Sequence, residues 1–550
     1  MKTFQPKLFT TLKDYSPKQL VNDLVAGVIV AIIALPLSIA LAIASGVSPE
    51  QGLYTAIIAG FAISLFGGSK VNISGPTAAF ATIVAGVVAT QGISGLVLAT
   101  LLAGLFLIIM GVCRLGSLIK YIPMTITTGF TAGIAVTIVI GQIKDFLGLT
   151  FAPGTHAVET AEKVTAIAKS IGTLNGQAVF VGMIAMAILI LWPMLGKCSK
   201  LGAFAKVCGR IPPSIIAVVA GILLSQFSPL QVNTIGTLYP DLSSAFPMPS
   251  LPQFSFDTVV AVLPDALTIA VLAAIESLLS CVVSDGMIGD RHNSNTELIA
   301  QGIGNICSGI FGGIPATGAI ARTAANVKNG GRSPVSGMVH AVVLLAFLLV
   351  LMPLAKMIPM PVIAAILFMV AYNMSEWRHF VHICRTAPKS DILVMVLTFA
   401  LTVAFDLVVA IAVGLVLAVV LFMKRMGDVT HVRRWESREE SGKVIPAHTV
   451  VYEIHGPMFF ADSDKFREFE VHDDTKTLIV RMGNVATVDA TAMKRFEELL
   501  AMCKEKEITL LLSHVNEHPM KVFKKAGFYD ALGAEHFPAT VEEALQMAGK

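Results

Sequence analysis

The chain has 550 residues, of which 55% are hydrophobic and 14% charged, with a mean hydropathy of +0.75 and a formal net charge of +3. These values exclude an ordinary soluble protein and an intrinsically disordered one. The net charge by itself indicates nothing about partners, but the basic residues sit in short loops and form no nucleic-acid patch, so we expect no nucleic-acid partner. The chain carries none of the common motifs of enzymes, so we expect no catalytic residue, metal site or cofactor.

Charge is distributed unevenly along the chain. Of the 77 charged residues, 39 fall in Lys424–Lys550, and the preceding 423 residues carry 38. The seven cysteines are scattered without a C-x-x-C pair, so neither a disulfide framework nor a zinc site is predicted. This pattern predicts a cytoplasmic N-terminal tail (1–20), a large transmembrane domain (21–425) and a small soluble domain (440–550).

The first half of the transmembrane domain, about residues 21–228, contains seven apolar runs that could cross a bilayer. The third is interrupted, because Gly75 and Pro76 break the backbone ahead of a predicted helix. The seven runs are Leu24–Ala44, Leu53–Phe66, Thr77–Thr90, Leu96–Val112, Ile122–Ile143, Ala178–Leu195 and Ile215–Phe227.

The second half, about residues 257–425, follows a proline-rich connection, Ser228–Phe256, that has no Lys or Arg. It also contains seven apolar runs, and its third is also interrupted, here by two glycines and Pro315. The seven runs are Val259–Val283, Leu298–Phe311, Ala316–Val327, Val335–Leu354, Val362–Tyr372, Ile392–Phe405 and Leu407–Met423.

Basic residues in the loops support this count. They concentrate in alternate loops, and none occurs between Arg210 and Arg291. The positive-inside rule therefore predicts fourteen spans of the cytoplasmic (inner) membrane with both termini cytoplasmic. Because seven is odd, the second half is inverted relative to the first, and inverted repeats are a transporter architecture. The loop residues used are Arg114, Lys120, Lys197, Lys200, Lys206, Arg210, Arg291, Lys328, Arg332, Arg378, Arg385, Lys389, Lys424 and Arg425.

The segment Ser375–Lys389 mixes aromatic and basic residues, which is typical of an interfacial helix, with an ordinary loop as the alternative. Beyond Lys424, strand patterns alternate with helix patterns, which predicts a small α/β domain. Its predicted elements are the strands Val450–Ile454, Thr477–Arg481 and Thr509–Leu512 and the helices Ala490–Lys504, His518–Lys525 and Val541–Met547.

Two interrupted segments at matching places in two halves indicate a binding site near the bilayer midplane. A helix start exposes unpaired N–H groups at the positive end of the helix dipole, so two facing starts would bind an anion. Small residues at these starts would let the anion approach the backbone, although close helix packing is the alternative explanation. The predicted substrate-binding residues there are Thr77, Ala78, Ala79, Thr317, Gly318 and Ala319.

Glu276 and Arg322 are charged residues inside predicted spans. Arg322 is predicted to lie about two turns into the helix of the second interrupted segment. We expect it to add positive charge to the anion site, while snorkelling to the inner surface and pairing with Glu276 are alternatives. A carboxylate at mid-span costs about 2.5–3.5 kcal/mol on the insertion scale, so Glu276 requires a reason to be there. We predict that Glu276 and Ser280, one turn apart on a helix face shared with Ser284, bind the coupling ion. The alternative is a structural carboxylate bonded to a neighbouring broken helix.

Four stretches together closely resemble the SulP (solute carrier 26) anion transporters: Ser74–Ala78, the helix around Glu276, Arg291–Asn305 and Gly312–Arg322. The C-terminal part resembles the STAS domain of that family. The resemblance covers essentially the whole chain. It implies core and gate domains within the seven-plus-seven inverted repeat, elevator-like motion, a homodimer, and an anion site between the third and tenth spans. The predicted fold is an all-α polytopic membrane domain of fourteen spans plus a small α/β STAS domain.

Four positions distinguish the chain from branches of that family: Leu37, Glu276, Ser280 and Ile320. Eukaryotic sulfate carriers have Pro-Gln where this chain has Pro36 and Leu37, which argues against sulfate. Cyanobacterial sodium–bicarbonate members have Asp and Thr where Glu276 and Ser280 stand, and a Thr at Ile320, which argues against sodium. The segments around Glu276 and Arg322 most resemble the bacterial dicarboxylate–proton branch.

The sequence therefore predicts a secondary active transporter of small anions (dicarboxylate, bicarbonate or sulfate), proton-coupled and of elevator type. Its expected partners are an inorganic or organic anion, a proton, the lipid bilayer and a second copy of the chain. A passive anion channel or exchanger and a sodium-coupled bicarbonate symporter are the alternatives. A nucleobase permease of the same architecture would need hydrogen-bonding side chains at both helix starts.

Overall fold

The computed structural model divides into two compact units, Met1–Leu415 and Val416–Lys550. The residues it describes are 4–117, 123–152, 157, 159–197, 211–228, 230–250, 255–405, 407–435, 439–440, 443–461, 469 and 471–549. Four basic loop residues used for the predicted topology lie outside these ranges: Lys120, Lys200, Lys206 and Arg210.

The first unit is built of helices, numbered here in chain order, with one pair of short strands, β1 (Ser74–Gly75) and β2 (Thr317–Gly318). The last helix extends across the boundary between the units. The helices are α1 (Lys7–Thr11), α2 (Pro17–Ala44), α3 (Pro49–Phe66), α4 (Ala81–Val112), α5 (Met124–Leu147), α6 (Thr160–Ser170), α7 (Gly176–Lys197), α8 (Pro213–Phe227), α9 (Ile235–Leu238), α10 (Phe256–Ile288), α11 (Ser294–Ile310), α12 (Ile320–Lys328), α13 (Val335–Ala355), α14 (Met360–Ser375), α15 (Trp377–Thr386), α16 (Lys389–Ala404) and α17 (Leu407–Val429).

Each of the fourteen predicted apolar runs contains helix. Within the described ranges, eight helices are long and apolar enough to cross a membrane by length and composition, and the total of fourteen spans stays a prediction. The third and fourth runs form one helix, α4, which is broken at Gly92 with φ at +68°. Glycine adopts this left-handed backbone without steric cost, so Gly92 separates two apolar runs without a loop.

Helix packing separates two groups within the first unit. In one group α4 packs on α10 and α11, while α13 packs on α2 and α3. The α4–α11 contact is closest where Gly104 and Gly302 face each other, since a Cβ on Gly302 would stand 2.5 Å from the Gly104 carbonyl oxygen. Small residues that let helix backbones approach are typical of membrane proteins. In the other group α5 packs on α14 and α16, and α7 packs on α14 and α8.

The segment predicted as an interfacial helix is helical, as α15. Its buried side is held by Ile383, and the ring of Phe380 packs edge-on against Phe399 at 5.6 Å. Trp377, at its start, is 47% exposed and lies beneath the Arg378 guanidinium. The helix is therefore confirmed, and its place at a membrane surface stays a prediction.

The second unit contains a four-stranded sheet in the order β3–β6–β7–β8, in which the last three strands are parallel and β3 is antiparallel. The predicted strands and helices of this unit are present, with ends shifted by no more than three residues. Sequence reasoning missed β3, β4, β5 and α20, and β3 begins ahead of the predicted boundary at residue 440. The elements are β3 (His431–Arg434), β4 (Glu439–Glu440), β5 (Lys443–Val444), β6 (Thr449–His455), β7 (Thr477–Asn484), α18 (Ala490–Glu505), β8 (Thr509–Ser513), α19 (Glu517–Lys525), α20 (Phe528–Leu532) and α21 (Val541–Ala548).

Candidate functional site

The two interrupted segments meet in the first unit. Strands β1 and β2 pair antiparallel, with Ser74 opposite Gly318 and Gly75 opposite Thr317. The pairing continues one step further, because the Ala319 N–H donates to the Ile73 carbonyl oxygen over 2.8 Å. Each segment thus supplies the backbone partners that the other lost when it left the helical conformation, as an apolar environment requires.

The break before β2 is held by side chains of α3 and α11. The Ile314 N–H donates to Thr55 Oγ1 over 2.7 Å, and the Ala316 N–H donates to Asn305 Oδ1 over 2.8 Å. Gly313 has no room for a side chain there, because a Cβ would stand 2.4 Å from a hydroxyl of α11. The loop is therefore shaped by fixed hydrogen-bond donors and acceptors, and its irregular backbone leaves few polar groups unpaired.

The two helix starts lie beside this strand pair. A short 3₁₀ turn, Ala78–Phe80, leads into α4, with Thr77 before it. On the other side Ala319 precedes α12, whose first residues, Ile320 and Ala321, are exposed. The first turn of α12 leaves its N–H groups without intrahelical acceptors, at the positive end of the dipole. Thr77 is half-buried, so each of the two starts has a residue that is accessible from outside the protein.

The predicted start of the second helix, at Ala316, is wrong: α12 begins at Ile320. Thr317 and Gly318 lie in β2 because they pair with β1, and their polar groups face α10. Thr317 Oγ1 lies 2.7 Å from Ser277 Oγ, and the Gly318 N–H donates to the same hydroxyl over 3.0 Å. Of the predicted substrate-binding residues, these two therefore stabilise the strand pair against α10.

Glu276 lies on α10 against the first interrupted segment. Its side chain is 9% exposed, and its Oε2 accepts a hydrogen bond of 2.9 Å from the Thr77 hydroxyl. The carboxylate therefore faces the start of the α4 segment, as the prediction of a site residue requires. The same bond is what the structural alternative requires, so geometry alone does not separate the two roles.

Ser280, one turn along α10, is fully buried and is engaged elsewhere. Its hydroxyl lies 2.7 Å from Asn72 Oδ1 and 3.2 Å from Thr323 Oγ1. Ser284, on the same face, donates to the carbonyl oxygen of Cys281 in its own helix. The predicted pair of Glu276 and Ser280 is thus split between two environments, one at the helix starts and one behind the strands.

Arg322 lies in the first turn of α12 and not two turns along the helix, because the strand pair delays the helix start. It is 4% exposed, and its Nη2 donates to the Pro76 carbonyl oxygen over 2.5 Å. Snorkelling is excluded by this burial. Among the described residues no carboxylate lies within 4.0 Å of the guanidinium, so Arg322 and Glu276 interact through space without a direct ion pair. Its Nη1 has no partner within the described ranges.

Four further residues complete the surroundings of the site and were missed from the sequence: Asn72, Ser277, Thr323 and His340. Asn72 joins α10, α12 and α11, since its amide contacts Ser280, Thr323 and the Glu297 carboxylate. Asn72 is the first residue of the first interrupted segment, and this position could have identified it from the sequence. The other three residues have no local sequence pattern that marks them.

The chain matches the profiles of two known protein families. The profile of the sulfate permease family matches residues 20–398, and that of the STAS domain matches residues 441–544. The chain belongs to the sulfate permease family. This membership confirms the predicted SulP relationship and the helical membrane domain followed by a STAS domain. It also makes the chain a transporter and not an enzyme, since the sulfate permease family consists of transporters.

Relatives of this chain match it along nearly its full length. A Bacillus subtilis (strain 168) protein named "Putative sulfate transporter YvdB" is 39% identical over 533 residues, covering 96% of this chain and 97% of that protein. The bicarbonate transporter BicA of a Picosynechococcus species is 30% identical over 556 residues, covering 96% and 94%. The solved structure of SLC26A9 has a TM-score of 0.86 at 18% identity, covering 98% of this chain and 92% of that one, which shows a shared fold alone.

Proposed function

We propose that the chain is a secondary active transporter of small anions that is coupled to protons through Glu276. The observation that carries the proposal is the pairing of β1 with β2. It brings the starts of α4 and α12, the Arg322 guanidinium and the Glu276 carboxylate to one place in the membrane domain. The proposed substrate-binding residues are Thr77, Ala78, Ala79, Thr317, Gly318, Ala319 and Arg322, with Glu276 and Ser280 for the coupling ion.

The positive features of this place suit an oxyanion. Two helix starts present backbone N–H groups, and a guanidinium adds a fixed charge with several donors. Sulfate, bicarbonate and dicarboxylates all carry several acceptor oxygens. Relatives named as sulfate and bicarbonate transporters support the first two, and the resemblance around Glu276 and Arg322 supports the third.

Proton coupling follows from the position of the carboxylate. An ionised Glu276 near the site would repel an anion, whereas a protonated one would not. Anion binding is therefore tighter when Glu276 carries a proton, and by reciprocity the proton binds more tightly when the anion is present. The two solutes then cross the membrane together, which is what symport requires.

We further propose that the protein lies in the cytoplasmic (inner) membrane with both termini inside and works as a homodimer. The division of the first unit into two packing groups supports a core that moves relative to a gate, as in an elevator. A sodium-coupled bicarbonate symporter is the second candidate, and the 30% identity to BicA favours it. Uptake under separate proton and sodium gradients distinguishes the two.

The test of coupling is Glu276→Gln in the purified protein in liposomes. A panel of radiolabelled sulfate, bicarbonate and succinate first identifies the anion that the wild type accumulates under an imposed proton gradient. The variant should still exchange that anion across the membrane, because Gln keeps the shape of the side chain. It should lose accumulation driven by the proton gradient. Accumulation at the wild-type level would contradict proton coupling through Glu276, and accumulation driven by sodium alone would support the second candidate.

The test of the anion site is Arg322→Ala. Removing a charged hydrogen-bond donor costs about 1.5–3 kcal/mol, so the dissociation constant of the transported anion should rise roughly 10- to 150-fold. A binding measurement on the purified protein gives this value, and size-exclusion chromatography checks that the variant stays folded. An unchanged dissociation constant would show that the anion binds elsewhere.

A further inference from the structure

A buried histidine lies behind the candidate site, on the side away from the exposed helix starts. His340, on α13, is 0% exposed, and neither ring nitrogen has a hydrogen-bond partner among the described residues. A neutral imidazole carries one donor and one acceptor. Leaving such groups unpaired costs about 1–3 kcal/mol each, and native proteins nearly always supply a partner.

Arg322 is in the same situation on one side of its guanidinium. Its Nη2 is satisfied by the Pro76 carbonyl oxygen, whereas its Nη1 is buried and unpaired within the described ranges. Nη1 lies beside Gly75 of β1, and His340 lies beside Gly60, which in turn faces the Ser74 carbonyl oxygen of β1. One donor on Arg322 and an acceptor nitrogen on His340 therefore lie unpaired in one region.

Glycines line the space between the Arg322 and His340 side chains. A Cβ on Gly75 would stand 2.7 Å from Arg322 Nη1 and 3.4 Å from the Cα of Ala56. A Cβ on Gly60 would stand 3.1 Å from the Ser74 carbonyl oxygen and 3.9 Å from His340 Nδ1. Arg322 thus lies against Gly75 of β1, and His340 lies near the point where Gly60 faces the Ser74 carbonyl oxygen, on a face of α3 where Ala56 and Gly60 lie one turn apart.

We propose that one buried water molecule links Arg322 Nη1, a ring nitrogen of His340 and the Ser74 carbonyl oxygen, and that His340 thereby positions the guanidinium for the anion. A buried water needs two to four polar partners, and these three groups supply them. The water accepts from Arg322 and donates to the imidazole nitrogen and to the carbonyl oxygen. With Nη2 on Pro76 and Nη1 on the water, the guanidinium is held from two sides. The inference rests on the proposed anion site.

The matched variants are His340→Phe, which keeps a planar ring without polar atoms, and His340→Asn, which puts an amide near the place of Nδ1. Losing a neutral hydrogen-bonded link costs about 0.5–1.5 kcal/mol. We therefore expect His340→Phe to raise the dissociation constant of the transported anion roughly 2- to 12-fold, with the maximal transport rate unchanged, and His340→Asn to return it to within about two-fold of wild type. The probe is whichever of radiolabelled sulfate, bicarbonate or succinate the wild type accumulates.

A double-mutant cycle separates positioning from packing. In an Arg322→Ala background His340→Phe should have no further effect on affinity, because the group that it positions is gone. Equal effects of His340→Phe with and without Arg322 would overturn the inference. If Arg322→Ala weakens binding and His340→Phe does not, the inference fails and the anion site stands. If Arg322→Ala leaves binding unchanged, the proposed site itself fails.

Gly60→Ala is the smallest change that enters this gap: Ala is the better helix former, but its Cβ would stand 3.1 Å from the Ser74 carbonyl oxygen, so thermal unfolding in detergent checks that the variant stays folded. Its methyl group would occupy the gap between the Ser74 carbonyl oxygen and His340, and should displace the water and weaken anion binding as His340→Phe does. A cryo-electron microscopy map should show one isolated density within hydrogen-bond distance of Arg322 Nη1 and His340. A direct contact between the two side chains, or unchanged affinity in Gly60→Ala, would overturn the bridging water.

Discussion

Two buried carboxylates of the membrane domain, Glu276 and Glu297, have opposite surroundings. Glu297, on α11, is 1% exposed and accepts four hydrogen bonds. Glu276, on α10, is 9% exposed, and the donor that the described residues supply to it is the Thr77 hydroxyl. The four donors to Glu297 are the backbone N–H groups of Gly68 and Ser69 and the side-chain amides of Asn72 and Gln301.

Under the proposed mechanism, this difference separates a structural carboxylate from one that takes part in transport. Glu297 joins the loop after α3 to α11, and protonating it would oppose several of its donors at once. Glu276 has one donor and lies beside exposed helix starts, so it gains or loses a proton with little change in its contacts. A carboxylate that has to change charge during each cycle belongs in the second environment, and one that holds two helices together belongs in the first.

The sharpest test of this comparison is Glu297→Gln. Each carboxylate oxygen of Glu297 accepts two hydrogen bonds. In either orientation of a Gln side chain, its NH₂ group replaces one of these oxygens, so two buried N–H donors lose their acceptor. The free energy of unfolding should fall by about 3 kcal/mol or more. Thermal unfolding in detergent measures this. Glu276→Gln serves as the matched control with an expected change below about 1 kcal/mol, because the amide oxygen of Gln can still accept from the Thr77 hydroxyl. Equal losses in the two variants would remove the distinction.

A smaller effect is expected from Thr77→Val, which deletes the hydroxyl donor to Glu276 while keeping the side-chain shape. Hydrogen bonds to charged groups contribute about 1.5–3 kcal/mol, so proton-driven uptake should fall roughly ten-fold or more. Thermal stability should stay near that of wild type, because Thr77 is half-buried. Thr77→Ser retains the hydroxyl and should transport normally. Loss of transport in Thr77→Ser would show that the methyl group, not the hydroxyl, is what the site uses.

The smallest effect is expected at a third carboxylate, Asp290, which is 25% exposed after the end of α10. Burial alone would raise its pKa, but hydrogen bonds from Lys7, the Arg291 N–H and Lys70 together lower the pKa below its usual value of 3.8. A lowered pKa gives stability that is present above that value and is lost as the pH falls through the lowered one. The attachment of residues 4–16 should therefore weaken below about pH 4.

At neutral pH, Asp290→Asn should reproduce this weakening, at less than about 1 kcal/mol because the ion pairs are partly exposed. Hydrogen exchange of the N-terminal segment is the measurement, with high salt as a second way to weaken the same ion pairs. Protection that is the same in wild type and variant would show that the contact of Lys7 with Asp290 contributes nothing.

The location of the candidate site could be predicted from local sequence patterns, whereas most of the side-chain contacts within it could not. Glycine and proline in apolar runs mark a broken helix wherever they occur, so both interrupted segments were found. Arg322 was placed two turns into a helix because nothing near it shows that Thr317 and Gly318 pair with residues more than 240 positions earlier. The network around Glu297 likewise joins residues more than 220 positions apart. Such contacts depend on how the two halves fold together.

In the second unit, β3 likewise could not be predicted from its local sequence. Its four residues, His431–Arg434, include three basic or histidine side chains and lack the alternation of apolar residues that indicates a strand. They form a strand because β6 presents a free edge to them, with His431 opposite His455. The central strands, rich in Val, Ile and Leu, were predicted because their own sequences are typical of buried sheet.

The antiparallel pair of β1 and β2 also restricts how a bound solute leaves. The two interrupted segments are joined by backbone hydrogen bonds and by the Arg322 contact to Pro76, so they do not separate from each other to release a solute. Separating them would break several bonds in a medium that offers no replacements. Under the proposed elevator motion, a solute bound there would be carried at a site of constant shape, and its exposure to either side would depend on which neighbouring helices slide past that site. The helices that face the site from outside, rather than the site itself, would then set the pace of the cycle.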